Sequence, residues 1–255
     1  FDARLFQQLA RAHALRLGQP LCAVAVTGST NDDAGAAARA GAPHGALFMA
    51  QQQTDGRGRR GRHWTSPPGA SLLFSLVLRP DLRPDRAQAL TLALGLGLRD
   101  AAAEQVSVPV GLKWPNDVVA NGRKLAGILV ETQLQGCRVQ AVVAGIGLNV
   151  SQREFSAELG ASATSLALLG APELGRERLL VQVLAAIQVR LQDYLRSELA
   201  TMLPELRQHD VLRGRRVCAN SLAGIACGID PSGALLLEDD AGQLHRVTSG
   251  SIELG

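Results

Sequence analysis

The sequence predicts an α+β protein in which strands and helices interleave over residues 1–208 and a small all-β unit follows over residues 209–255. Three observations predict it. Apolar runs of strand length alternate with amphipathic and alanine-rich stretches of helical period in the first part. Asn121-Gly122 sits between two apolar runs, a strong hairpin signal that makes part of the sheet antiparallel. From about Asp210 the pattern changes to short apolar runs punctuated by Gly, Asn, Asp and Pro, which reads as a barrel of about five strands. Hydrophobic residues make up 46% and charged residues 19% of the 255, enough for a real core. Only 3% are aromatic, so that core rests on Ala, Val and Leu.

Taken in order, Leu5 to Leu17 reads as an amphipathic helix closed by Gly18 and Pro20, and Leu21 to Val26 as a strand. Thr27-Gly28-Ser29-Thr30-Asn31-Asp32 leads into an alanine-rich helix ending near Ala40, with Ser29 or Thr30 as N-cap. Free N–H groups at such a helix start also suit a polar or anionic ligand. Ala46 to Gln53 and Ser71 to Leu78 are strands, and Pro84 starts a helix running to about Gln105. Around the Asn121-Gly122 turn, Asp117 and Lys124 fall on paired strands. Leu125–Leu134 and Cys137–Val150 follow as strands joined at Gln135-Gly136, and the second ends in Gly145-Ile146-Gly147-Leu148-Asn149, small residues that let a ligand approach the backbone. Ser162 to Leu169 is a short turn or helical segment, and Leu174 to Leu206 is helical with a break or restart at Pro204. Val217, Leu222–Ile229, Leu235–Leu237, Leu244–Val247 and Ser251–Leu254 are the strands of the terminal unit.

The most distinctive stretch is Gly56-Arg57-Gly58-Arg59-Arg60-Gly61-Arg62-His63-Trp64. Glycine opens backbone conformations closed to other residues, and arginine offers a fixed fork for carboxylate or phosphate. Such a loop is expected to be loose until an anion orders it. It is neither a dinucleotide fingerprint, because turn chemistry rather than a helix follows it, nor a Walker loop, because no Gly-Lys-Ser/Thr closes it. The net charge of +3 is too small to imply nucleic acid from the chain as a whole. Cys22, Cys137, Cys218 and Cys227 form no C-x-x-C pair and read as buried free thiols in a reducing, cytoplasmic setting. Neither a signal peptide nor an apolar run of membrane-spanning length is present in the sequence.

Five segments in this order resemble the biotin protein ligases over nearly the whole chain. They are Ser29-Thr30-Asn31, Gln53 to Arg59, Lys113-Trp114-Pro115-Asn116-Asp117, Arg123 to Glu131, and Gly145 to Asn149. The resemblance implies a mixed sheet flanked by helices, as in class II synthetases, with an SH3-like carboxy-terminal barrel. It implies ATP, biotin and Mg²⁺ as cofactors, an acyl-adenylate intermediate, and a lysine of a biotin carboxyl carrier protein as acceptor. By the same resemblance Ser29, Thr30, Asn31, Gln53, Gly127 and Gly145 line a biotin pocket, and Gly56, Arg57, Gly58 and Arg59 close over biotin and phosphate. Trp64 stacks on adenine, Asn116 and Asn149 serve ATP or its metal, and the metal ligands stay unassigned. The family includes members with an amino-terminal DNA-binding domain. Only about twenty residues precede the first strand, too few for one, so no DNA partner is expected unless a segment precedes Phe1. The resemblance leaves a homodimer open.

Elementary electrostatics agrees. A carboxylate and ATP repel each other, so the site must supply positive charge; Lys124 at about 4 Å from an anion is worth roughly 4 kcal/mol at an effective dielectric near 20. Arg57 and Arg59 add charge where it builds on the α-phosphate, and Asp117 is a candidate to orient or deprotonate the incoming lysine. Two rivals are a lipoate or octanoate ligase or transferase of the same fold, and a nucleic-acid-binding module with arginines on phosphates and Trp64 or His63 on a base. The second leaves Lys124, Asp117 and the Ser-Thr-Asn turn without a role.

Overall fold

The computed structural model describes residues 1–173 and 175–254. Seven strands form one sheet: β1 (Leu21–Thr27), β2 (Ala46–Gln53), β3 (Ser71–Leu78), β4 (Val110–Lys113), β5 (Asp117–Ala120), β6 (Arg123–Gln135) and β7 (Arg138–Asn149). Their order is β1-β2-β3-β7-β6-β5-β4. Strand β1 runs parallel to β2, and the other neighbours are antiparallel, so the sheet is mixed as expected. The one parallel step needs a crossover, which α2 (Thr30–Arg39) provides.

Residue size decides how the helices sit. Ala34 and Ala38 of α2 pack on Ala46, Val77, Ala141 and Val143, a small-residue face that brings the helix close to the sheet. On the opposite face, α3 (Ala87–Ala103) and α5 (Arg176–Ser197) bury the main core with Leu72, Phe74, Leu76 and Leu78. Strand β3 is buried along its whole length, and its alternation leaves Ser71 and Ser75 on the α2 side with Val77. That face leads into the site described below.

The hairpin expected at Asn121-Gly122 is present, with both residues at positive φ (49° and 73°) as a type I′ turn requires. Helix α1 (Ala3–Ala12) is shorter than its pattern, because Ala14 and Gly18 turn to positive φ. Pro84 opens a 3₁₀ turn, Pro84–Arg86, and the α-helix starts at Ala87. The long helix ends at Ser197, and Pro204 sits in the first turn of α6 (Leu203–His209); the expected start at Leu174 lies outside the described residues. Between the sheet and α5 lies a short helix, α4 (Ala157–Gly160).

The terminal unit has the five strands expected: β8 (Arg216–Ala219), β9 (Leu222–Ile229), β10 (Leu235–Glu238), β11 (Leu244–Val247) and β12 (Ile252–Leu254). They form an antiparallel SH3-like sheet in the order β11-β10-β9-β8-β12. This unit is fastened to the larger one. The buried Trp114 donates its indole N–H to the Gly233 carbonyl at 3.0 Å, and Val217, Ala226, Leu235 and Leu237 belong to the main core. No described helix is long and apolar enough to cross a membrane. One expectation fails. The four cysteines are free, but Cys22 and Cys137 are exposed and the others half-buried, because Cys22 lies on the edge strand β1 and Cys137 in the β6–β7 turn.

Candidate active site

A cleft of about 370 Å³ opens between the start of α2, the glycine-rich ends of β6 and β7, the Arg/Gly loop and the β12 edge. Every residue singled out from the sequence lines it except Gly56. Gly56 forms the neck of the loop instead. A Cβ there would sit 2.4 Å from the Trp64 carbonyl oxygen, which accepts no such neighbour, and the Trp64 amide donates to the Gly56 carbonyl at 2.7 Å.

One end of the cleft is polar and closely determined. The Thr30 amide donates to Gln53 Oε1 at 2.7 Å, and the Thr30 hydroxyl lies 2.9 Å from the same oxygen. That uses the acceptor capacity of the Gln53 amide and leaves its NH₂ as the group for a ligand. Ser75, fully buried, places its hydroxyl 2.6 Å from Asn31 Oδ1 and 2.8 Å from Thr30 Oγ1. Gly145 faces Asn31, and a Cβ there would fall 1.9 Å from Asn31 Oδ1, so glycine is required. Ser29 occupies the N-cap position but makes no capping bond with its side chain, and the Thr30 hydroxyl sits between Gln53 and Ser75. The expected side-chain cap is therefore absent, and the buried Ser29 hydroxyl faces the cleft.

The loop has a defined path. Arg57 bridges His63, the Gly58 amide donates to the Arg62 carbonyl at 2.6 Å, and Arg60 (φ 58°) and Gly61 (φ 73°) make the bend. Arg57 donates from Nη2 to Asp32 Oδ1 at 2.7 Å and to Glu131 Oε2 at 3.0 Å. Arg60 reaches Ser251 and Asn220 at 3.3 and 3.2 Å, and Arg62 reaches Ser251 at 3.4 Å, so the terminal sheet holds the outer side of the loop. The Arg59 side chain makes none of the described hydrogen bonds or ion pairs. Burial holds its guanidinium below its ordinary pKa, the adjacent Arg60 charge adds to this, and Asp117 opposes it. It remains a cation at neutral pH.

At the other end, Lys124 Nζ pairs with Asp117 Oδ1 at 2.7 Å and lies 5.6 Å from the Trp64 ring centroid. The hairpin does this by placing the two residues on paired strands. The Trp64 ring rests on Gly127 and Gly147; a Cβ at Gly147 would fall 2.6 Å from it. Its buried indole N–H has no described partner. The Asn116 NH₂ donates to the Ile128 carbonyl at 2.8 Å, which fixes the side chain and leaves Oδ1 as an acceptor. The Asn149 NH₂ donates to the Thr164 carbonyl at 2.9 Å, and its Oδ1 accepts from Ser71 at 3.3 Å.

The sequence reading assigned no role to Ser71, Ser75, Asp32, Glu131, Asn220 or Ser251. A signal existed for the serines: two hydroxyls four apart, on one face of an otherwise apolar strand. The partners of Arg57, Arg60 and Arg62 carried none, because they lie far along the chain, from Asp32 to Ser251. Chemically, the arrangement offers a polar pocket for an uncharged ligand head and a cationic end for phosphate and carboxylate, with the Arg/Gly loop between them.

Comparison with known proteins points the same way. Residues 25–149 match the model of the biotin/lipoate A/B protein ligase family, and residues 214–255 that of the biotin protein ligase C-terminal domain. The bifunctional ligase/repressor BirA of Bacillus subtilis is 35% identical over 245 residues, covering 94% of this chain and 75% of that protein. The biotin–[acetyl-CoA-carboxylase] ligase of Mycobacterium tuberculosis is 38% identical over 239 residues, covering 90% and 86%. The biotin protein ligase of Aquifex aeolicus, solved with biotin and ATP, superposes with a TM-score of 0.78 at 28% identity, covering 93% and 99%. With nearly its whole length aligned to such relatives, the chain belongs to the biotin protein ligase family.

Proposed function

We propose that this chain joins biotin to AMP at the expense of ATP and passes the biotinyl group to a lysine of a biotin carboxyl carrier protein, such as that of acetyl-CoA carboxylase, in the cytoplasm. The observation that carries the reading is the division of the cleft. Thr30, Asn31 and Gln53 form a hydrogen-bonded pocket at one end, and Lys124, Arg57 and Arg59 bring cations to the other. A cyclic urea fits the first and a carboxylate beside a triphosphate fits the second.

In the first step a biotin carboxylate oxygen attacks the α-phosphorus, and the bond to the bridging oxygen breaks, releasing pyrophosphate. Lys124 and Arg59 stabilise the charge that builds on the α-phosphate. Arg57, held by Asp32 and Glu131, fixes the loop over the reacting groups. Trp64 offers its ring face to adenine, and closing the loop keeps water from the adenylate. In the second step the neutral amine of the carrier lysine attacks the acyl carbon, and AMP leaves with the bonding pair. Asp117, paired with Lys124 at 2.7 Å, receives the amine proton. Mg²⁺ would neutralise phosphate charge. The oxygens of Asn116 and Asn149 fit a hard cation held mainly by phosphates and water, and no group of three acidic, His or Cys side chains able to cage a metal occurs among the described residues. This reading goes with a division at residues 208 and 209, a catalytic unit followed by an SH3-like one that braces the loop.

A lipoate or octanoate ligase fits less well, because an apolar acyl chain offers no partner to the Gln53 NH₂ or to the buried Ser29 hydroxyl that face the cleft. A nucleic-acid module fits least, because Arg57 is already spent on Asp32 and Glu131. The deciding experiment measures pyrophosphate release with ATP, Mg²⁺ and either biotin or lipoate, then biotin transfer to an apo carrier domain. Release with biotin followed by transfer is expected. Release with lipoate alone, or with neither, overturns the reading.

A further inference from the structure

We propose that Glu131 and Ser75 are positioning residues that tie the arginine loop to the polar pocket, so that filling the pocket and fixing the loop become one event. The inference rests on the reading of the cleft as a biotin and ATP site. It goes beyond that reading in assigning roles to two residues away from the phosphate chemistry.

The donors and acceptors form one chain whose direction is determined. Arg57 can only donate, and Nη2 gives a hydrogen bond to Glu131 Oε2 at 3.0 Å. The same Oε2 accepts from Asn31 Nδ2 at 2.7 Å. A carboxylate is an acceptor only, so the Asn31 amide must turn its NH₂ to Glu131 and its Oδ1 inward. Oδ1 carries no hydrogen, so the Ser75 hydroxyl at 2.6 Å must be the donor there. The Ser75 proton is then spent, and its oxygen is left to accept from the Thr30 hydroxyl at 2.8 Å. That hydroxyl also lies 2.9 Å from Gln53 Oε1, while the Thr30 amide holds Oε1 at 2.7 Å. One line of hydrogen bonds thus runs from the loop through Glu131, Asn31, Ser75 and Thr30 to Gln53.

Packing fixes the line as well. Ser75 is fully buried on the central strand β3, opposite Gly145 on β7 and Phe48 on β2. Asn31 fills the space that Gly145 leaves for lack of a side chain, since even a methyl group there would collide with Oδ1. Glu131 lies on β6, in the stretch beyond the last residue that β5 pairs, so its side chain is free to meet both Arg57 and Asn31. Asp32, adjacent to Asn31, adds a second hold on Arg57. A ligand that settles on Gln53 and Thr30 fixes Asn31 and Glu131 in turn, and Glu131 then presents a fixed carboxylate to Arg57. Loss of either end frees the other.

The test compares wild type, Ser75→Ala, Glu131→Ala and the double variant, each checked for folding by thermal melting. Calorimetry gives the dissociation constant for biotin, and hydrogen exchange of residues 55–64 is followed with and without biotin alone. In wild type, biotin alone should slow exchange in the loop. Ser75→Ala touches no loop residue, yet it should abolish that protection and weaken biotin about tenfold. Glu131→Ala should also weaken biotin about tenfold, and Ser75→Thr, which keeps the hydroxyl, should retain both properties. The double variant should be no weaker than about the worse single, because both break one chain. Loop protection that survives Ser75→Ala, or losses that multiply in the double variant, overturns the link. If Ser75→Ala does not fold, unchanged biotin affinity in Glu131→Ala overturns it equally. If wild type releases no pyrophosphate with biotin, it is the reading of the cleft that fails, not the link.

Discussion

Lys124 stands where three demands meet: it pairs with Asp117, lies over Trp64 and faces the cleft at its cationic end. Its ammonium is only partly screened by Asp117, so an incoming carboxylate and α-phosphate gain a nearby cation without waiting for the protein to rearrange. Lys124→Ala should therefore lower pyrophosphate release on the order of a hundredfold or more, with the melting temperature little changed. Near-normal turnover would remove Lys124 from the chemistry. Arg59 differs in being half-buried and without a described internal partner, a cation held ready for a ligand. If Arg59 holds the adenylate as proposed, Arg59→Gly should cost a charge-assisted contact of about 1.5–3 kcal/mol, roughly tenfold to a hundredfold or more in its release rate. The variant should keep part of the first half-reaction through Lys124 and should leak adenylate. Incubation with biotin, ATP and an unrelated lysine-rich protein, followed by a biotin blot, reads this out. Stronger bystander labelling that falls when a free amine is added is the expected result, and labelling no higher than wild type removes Arg59 from retention.

At the scale of elements, the loop is a strip of like charges held only at its flanks, by Asp32 and Glu131 on one side and by Ser251 and Asn220 on the other. The outer contacts are long and exposed, so the bend at Arg60 and Gly61 depends on a phosphate for firm order. Hydrogen exchange across Asp55 to Trp64 should slow when biotin and ATP are both present. Equal protection with and without them would make the loop a rigid scaffold. The loop itself was legible in the sequence, as were the Asn121-Gly122 hairpin and the pairing of Asp117 with Lys124, because glycine, turn and charge signals are local. Its anchors were not, since hydrogen bonds to Glu131, Asn220 and Ser251 depend on how strands far apart in the chain are ordered in the sheets. The hydroxyls of Ser71 and Ser75 were hidden for another reason: an apolar strand pattern reports burial but not which neighbour a buried polar atom will meet. Helix ends were missed where positive-φ residues such as Ala14 and Glu198 stop a pattern that the side chains alone would continue.

The two units act as one body because their contacts are built into the core. Trp114 reaches Gly233, Val211 donates to the Leu112 carbonyl at 3.0 Å, and Asp210 bridges Leu112 at the point where the chain passes from one unit to the other. Asp210 is costly there. Its Oδ1 accepts from the Leu212 amide at 2.9 Å, but its buried Oδ2 has no described partner. Burial pushes its carboxyl above the usual carboxylate range, and the hydrogen bond from Leu212 and the nearby Arg213 charge only partly oppose this. A carboxyl raised in the folded state favours folding fully below its unfolded value of about 3.9, and that advantage is lost as pH rises through the folded value. At neutral pH the protein therefore carries the penalty of a buried, half-satisfied anion. Asp210→Asn keeps the acceptor for Leu212 and removes the charge. At about 1 kcal/mol the variant should melt roughly 2–4 °C above wild type at pH 7. The gap should narrow as the pH falls through the raised folded value and close below the unfolded value of about 3.9, where the carboxyl is protonated in both states. Melting curves at several pH values decide it. A variant less stable than wild type at pH 7, or a gap that does not change with pH, would mean that the Asp210 charge is used by the junction rather than tolerated by it.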